Sequence, residues 1–180
     1  MLIGLMSCHF DSAVQITSYL KNELNKTIIW GGIHPTIRPR ECLRYADMVC
    51  VGEGEIGVAR LLDRLSNGDG IDKISIPGIL NKKSPSIVPA PKIHSLDDLG
   101  LPDYDTGHQF VLCDNKIVKL TNKFISEYLR YSYKTMISRG CLFDCTYCCN
   151  NFIKKIEEND FPPIRWRSLD LQIEELKMAK

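Results

Sequence analysis

Three cysteines, Cys141, Cys145 and Cys148, stand at C-x3-C-x2-C spacing in the run Ser138-Arg139-Gly140-Cys141-Leu142-Phe143-Asp144-Cys145-Thr146-Tyr147-Cys148. Three thiols this close together favour a metal-holding loop over a strand or a continuous helix. Three thiolates on one short loop can hold three irons of a four-iron cluster and leave the fourth iron open to a reacting ligand. A closed structural zinc or cluster site requires a fourth protein ligand. Cys149 is the neighbouring candidate, but adjacent cysteines point in different directions, so it reads better as a packed or free thiol. Zinc sites also favour two C-x2-C pairs well apart, a pattern this sequence lacks. The iron–sulfur reading is therefore preferred to zinc.

The rest of the composition narrows the class. Hydrophobic residues make up 44% and charged residues 25%, as in a water-soluble globular domain. A net charge of +1 gives no global attraction to nucleic acid or to an anionic membrane, so neither partner is expected. No apolar run approaches the roughly 20 residues that span a bilayer. The sequence has no basic n-region and no small-residue cleavage site, so no secretory signal is expected. Eight cysteines without such a signal fit metal ligation in a reducing cytoplasm better than a disulfide framework. Cys8, Cys42, Cys50 and Cys113 lack ligand spacing and read as small buried hydrophobes.

Along the first 75 or so residues, strand and helix alternate. Met1 to Met6 is a continuously apolar run, as in a strand covered on both faces. Ser7 to Phe10 reads as a turn. Asp11 or Ser12 can cap a helix running to about Leu24, with Val14, Ile16, Leu20 and Leu24 on its inner face. Thr27 to Trp30 forms a second strand closed by Gly31-Gly32, and Glu41 to Tyr45 a short helical turn. Met48 to Val51 forms a third strand closed by Gly52-Glu53-Gly54-Glu55. A helix from about Ile56 to Leu65 follows, with Glu53 and Glu55 at its start, and Asn67-Gly68-Asp69-Gly70 ends it. This order predicts a parallel sheet with helices packed on it.

Between Ile76 and Asp105 lie five of the nine prolines, which marks the stretch as a surface connector. Val111 to Leu120 predicts a hairpin about Asp114-Asn115, and Tyr133 to Ser138 a strand leading to the cysteine loop. Ser168 is placed to cap a last amphipathic helix carrying Leu169, Ile173 and Leu176. Arg165 and Arg167 flank Trp166; with no wider basic face, they read as a solvated or salt-bridged surface rather than a nucleic-acid contact.

Two stretches together resemble one family, the radical S-adenosylmethionine enzymes with an N-terminal cobalamin-binding domain. The first is Trp30-Gly31-Gly32-Ile33-His34-Pro35-Thr36 with Ala46-Asp47-Met48-Val49-Cys50-Val51-Gly52-Glu53-Gly54-Glu55. The second is Ser138-Arg139-Gly140 and the C-x3-C-x-aromatic-C loop, followed by Arg165-Trp166-Arg167-Ser168 and a helix containing Glu174-Glu175. Leu101-Pro102-Asp103-Tyr104-Asp105 resembles the family's connector. The resemblance implies an incomplete flavodoxin-like, cobalamin-binding-like α/β sheet over residues 1–75 and a connector over 76–130. Residues 131–180 would then be the first strand, cluster loop and helix of a radical S-adenosylmethionine partial barrel. The family's full sheet and barrel are larger, so the chain is expected to be an internal piece of a longer protein, inactive by itself.

The same resemblance implies the chemistry. Cys141, Cys145 and Cys148 would ligate a [4Fe-4S] cluster whose open iron binds S-adenosylmethionine, and Tyr147 would pack near the adenine. Reductive cleavage would give a 5′-deoxyadenosyl radical. Ser7 and the Gly31-Gly32 turn would line the nucleotide tail of a cobalamin. The Asp-x-His-x-x-Gly loop that supplies a lower axial histidine in some relatives is absent, and the glycines can equally serve tight turns. His34 and His9 read as structural or surface residues. The implied partners are a small-molecule substrate and an electron donor such as a flavodoxin or ferredoxin. Methylation or cyclisation at an unreactive carbon is the expected reaction class. A methylthiotransferase-like enzyme and a non-catalytic cluster- or corrinoid-binding module are the alternatives.

Overall fold

The computed structural model describes residues 1–130, 132–156 and 162–178, which fall into two compact units. Residues 1–93 and 141–162 form the first unit, and residues 94–140 and 163–180 the second.

The first unit is built on a four-stranded sheet of β1 (Leu2–Gly4), β2 (Ile29–Gly31), β3 (Met48–Cys50) and β4 (Ile79–Asn81), in that order. β1, β2 and β3 run parallel, and β4 joins β3 antiparallel. The expected parallel α/β sheet is thus present, with one antiparallel strand at its edge. The period-two geometry of strands explains its core. Ile28, Trp30, Val49, Val51 and Leu80 enter one apolar cluster, while Ile29, Met48, Cys50 and Ile79 enter the other. Helix α1 (Phe10–Leu24) and the short α2 (Ile33–Ile37) and α3 (Pro39–Cys42) follow β1 and β2. Ala13 of α1 and Cys42 of α3 pack in the first cluster. Helix α4 (Gly54–Ser66) covers the other with Leu61. The result is a helix–sheet–helix sandwich.

Several local expectations are revised. A 3-10 turn, Ser7–His9, leads into α1, and neither Asp11 nor Ser12 caps it; His9 occupies the N-cap position. On α1, Ala13 and Thr17 are buried, whereas Ile16 and Leu24 are exposed. Thr17 is drawn inward because the fully buried indole of Trp30 needs an acceptor, and Nε1 donates to Thr17 Oγ1 at 2.8 Å. Asp47 closes the sheet end: its carboxylate accepts from the Ile28 amide at 2.8 Å and pairs with Lys21 at 2.7 Å.

The second unit holds a hairpin of β5 (Phe110–Cys113) and β6 (Lys116–Lys119), turning on Asp114 and Asn115, both at positive φ. Two left-handed residues are what the tight hairpin turn predicted for Asp-Asn requires. Helix α5 (Asn122–Tyr128) is capped by Thr121, whose hydroxyl accepts from the Phe124 amide. β7 (Ser138–Gly140) pairs antiparallel with β8 (Ile164–Trp166), and α7 (Leu169–Met178) follows. Ser168 caps α7 as expected, accepting from the Leu171 amide. The strand read over Tyr133 to Ser138 is confined to Ser138–Gly140. Leu169, Ile173 and Leu176 are exposed, and the buried residue of α7 is Glu175.

Candidate functional site

Strand β7 delivers the cysteine loop, and Gly140 makes the transition. Its φ is +108°, and a Cβ there would fall on the backbone of Pro163, so no side chain fits. Within the loop, the Cys148 amide donates to the Cys145 carbonyl at 3.1 Å, forming a turn between the last two cysteines. The Asn151 amide then donates to the Cys148 carbonyl at 3.2 Å as helix α6 (Cys149–Ile156) begins. Cys149 therefore belongs to the helix and not to the loop. All four thiols are free and half-buried. Leu142, Phe143 and Tyr147 point to solvent around them, Tyr147 at 90% exposure.

The donor set suits an iron–sulfur cluster by type: three soft, reduced thiols on one turn-bearing segment. The loop places them in sequence along one turn, without drawing them to a point. Among the described residues, no three His, Cys, Asp or Glu side chains converge tightly enough to hold a metal ion.

A second grouping lies at the carboxyl edge of the parallel strands, where open α/β sheets bind ligands. Ser7 and the Gly31-Gly32 turn follow the ends of β1 and β2 at that edge and are linked through Leu5 and His34. The Leu5 amide donates to the Gly31 carbonyl at 2.9 Å and the His34 amide to the Leu5 carbonyl at 3.3 Å, locking β1 to the turn after β2. Gly32 has φ +100°, and a Cβ on it would stand 2.9 Å from the Leu5 carbonyl oxygen. Its glycine is thus required by backbone packing alone. A Cβ on Gly31 would meet only Cys50 Cβ, at an ordinary 3.6 Å. Ser7 is exposed, and its Oγ lies 2.9 Å from His34 Nδ1.

His34 itself is only 8% exposed, tilted against Phe10 at 4.9 Å between ring centroids, with Nε2 3.9 Å from Glu41. That burial fits the structural role. Its pairing with Ser7 carried no sequence signal, because the two are 27 residues apart. His9 is exposed. Glu53 stands at the N-cap of α4 without a side-chain cap bond, and Glu55 lies in the first turn, where a carboxylate complements the helix dipole.

Cys42 and Cys50 are buried as expected. Burial, then the Glu41 charge, pushes the Cys42 thiol up to about 12; burial, then Glu55, pushes Cys50 up to about 11. Cys8 is exposed and Cys113 half-buried, so for these two the expectation of burial fails: one lies in the 3-10 turn, the other ends a hairpin strand. Arg165 is buried rather than solvated, and the half-buried Arg167 is salt-bridged, to Glu175.

No protein-family model matches the chain. It is 28% identical over 162 residues to an uncharacterised methyltransferase from Pyrococcus horikoshii, an alignment covering 86% of the chain and 30% of that protein. It is 30% identical over 156 residues to the anaerobic magnesium-protoporphyrin IX monomethyl ester cyclase of Synechocystis, covering 81% of the chain and 27% of that protein. In fold it matches the radical S-adenosylmethionine methyltransferase TsrM from Kitasatospora setae, solved with its tryptophan substrate and the analogue aza-S-adenosylmethionine. The TM-score is 0.63 at 16% identity, over 99% of the chain and 34% of that structure. The chain thus spans about a third or less of the length of each of these proteins.

Proposed function

We propose, from this chain's kinship with the radical S-adenosylmethionine enzymes, that it carries the cluster loop of such an enzyme, with Cys141, Cys145 and Cys148 holding a [4Fe-4S] cluster. The observation that supports this best is the loop itself: three free, half-buried thiols on one turn-bearing segment, with the next cysteine drawn off into α6. A cluster held there would supply the electron that cleaves S-adenosylmethionine to a 5′-deoxyadenosyl radical. This chain's residues shape the loop: Gly140 admits the turn and Tyr147 offers an exposed ring for the adenine.

In this reading the flavodoxin-like, cobalamin-binding-like sheet extends past residue 75 to include β4, and the connector is confined to the stretch after residue 93. Residues 131–180 open a partial barrel. Ser7 and the Gly31–Gly32 turn would face a cobalamin at the sheet's carboxyl edge, where the Ser7 hydroxyl, held by His34, is the exposed polar side-chain group of the three. Methylation or cyclisation of a small-molecule substrate is the reaction class we assign to the whole enzyme. A flavodoxin or ferredoxin would be its electron donor, and the reducing cytoplasm its setting. No helix among the described residues is long and apolar enough to cross a membrane.

The methylthiotransferase alternative needs further cluster cysteines in the first unit. Cys42 and Cys50 belong to the two different apolar clusters of the sheet, and both thiols are held protonated at neutral pH. That arrangement weighs against the alternative. Anaerobic reconstitution with iron and sulfide tests the main reading. About four irons per wild-type chain, lost in Cys145→Ala, are expected; equal iron in both proteins would refute the assignment. Titration with hydroxocobalamin, followed by its visible spectrum in wild type and Ser7→Ala, tests the second site.

A further inference from the structure

Midway through the cysteine loop, the Phe143 carbonyl accepts from Lys154 Nζ at 2.8 Å, and Asp144 Oδ1 lies 2.9 Å from the same ammonium. Both acceptors sit in the three-residue spacer between Cys141 and Cys145, whereas Lys154 belongs to α6, which starts directly after Cys148. Two residues further on, Ile156 packs against the core cluster of the first unit, and α6 lies on α2. A continuous mechanical path therefore runs from the sheet core through Ile156 and α6 to Lys154 and the loop. We propose that Lys154 is a positioning residue for the cysteine loop, its ammonium holding the Cys141–Cys145 spacer back against α6. This rests on the cluster reading given above.

The two contacts of the ammonium differ in weight. The Asp144 side chain is largely exposed, and an exposed ion pair is screened by water and contributes little. The Phe143 carbonyl is part of the main chain, so a charge-assisted hydrogen bond to it fixes the path of the loop between two ligands. The carboxylate swings on its own rotatable bonds and fixes nothing but itself. The lysine also keeps most of its side chain out of water, which suits a structural tether. Residues that orient metal ligands from outside the ligand set typically alter metal affinity by about 10–100-fold when removed.

The test compares the wild-type chain with Lys154→Met, Lys154→Arg and Asp144→Asn after anaerobic reconstitution. Iron retained against rising chelator is the readout, with far-UV circular dichroism as the control for folding. Lys154→Met is expected to release its iron at about tenfold lower chelator. Lys154→Arg, which keeps a cationic donor, is expected to restore most of the retention. Asp144→Asn is expected to stay within about threefold of wild type. Wild-type retention in Lys154→Met overturns the proposal, and so does a full loss in Asp144→Asn. If Lys154→Met fails to fold, Lys154→Arg decides: retention supports the tether, and loss overturns it. A wild-type chain that takes up no iron overturns the cluster reading and this proposal with it. Loss confined to Lys154→Met leaves the cluster reading standing.

Discussion

The Tyr133 hydroxyl donates to Glu175 Oε1 at 2.6 Å and so joins the segment before the cysteine loop to helix α7. Glu175 is 2% exposed, yet it is fully provided for: Thr135 also donates to it, and Arg167 pairs with it while donating to the Gly100 carbonyl. The hydrogen bonds from Thr135 and Tyr133 hold this carboxyl below the ordinary carboxylate range, outweighing its burial. Burial, followed by the bonds to Glu175 and Tyr104, pushes the Tyr133 hydroxyl well above its usual value.

Stability of the second unit should therefore fall at both ends of the pH scale. Glu175 is lowered, so its contribution is present above about pH 4.3 and is lost as pH falls through the lowered value. Tyr133 is raised, so its contribution is present below about pH 10 and is lost as pH rises beyond it. Glu175→Gln should flatten the acid limb and cost about 3 kcal/mol at neutral pH, because it removes the charge partner of the half-buried Arg167. Urea midpoints across pH for both proteins check this, and superimposable curves would contradict it.

Thr17→Val keeps the shape of the α1 core position but leaves the Trp30 indole without its acceptor. A loss of about 1–3 kcal/mol is expected, with the midpoint followed by Trp30 fluorescence. An unchanged midpoint would mean that the bond adds nothing to stability.

The four cysteines outside the cluster loop and α6 should divide by reactivity. At about pH 8 the exposed Cys8 is expected to react with iodoacetamide within minutes, while Cys42 and Cys50 stay unmodified in the native protein. Raising the pH activates Cys50 only near about 11, where its raised value lies. Mass spectrometry of peptides after timed alkylation reads all sites together.

Gly140→Ala should cost about 3 kcal/mol, since it combines a strained φ with a methyl group driven into the Pro163 backbone. Faster hydrogen exchange along β7 and β8 is the expected signature. A cost below about 0.5 kcal/mol would show that the turn relaxes freely.

Much of the first unit was legible in its sequence. The apolar runs at Met1, Ile29 and Met48 marked three parallel strands; β2 and β3 are covered on both faces, and such strands read as continuous hydrophobic stretches, whereas β1 lies at the sheet edge and leaves Leu2 exposed. β4 was hidden: Ile79–Asn81 is three residues long, follows Pro77–Gly78, and sits in a proline-rich stretch. α2 was hidden by Pro35, which its first turn accommodates because the amide there needs no helical partner. On α1, Val14 and Leu20 pack inward as read, but the buried Thr17, like Glu175 on α7, was missed for one reason. Periodicity weighs apolar residues, whereas Thr17 and Glu175 are buried through hydrogen bonds to partners distant in sequence. In the site, the spacing of Cys141, Cys145 and Cys148 was plain, but the Lys154 tether and the Ser7–His34 pair depend on how the chain folds back.

The decisive measurement is electron paramagnetic resonance of the reconstituted, dithionite-reduced chain, with and without S-adenosylmethionine. A reduced four-iron signal is expected that shifts when S-adenosylmethionine is added and is missing from the Cys141/Cys145/Cys148→Ala variant. A signal that survives the triple substitution, or a wild-type chain with zinc and no iron signal, would contradict it.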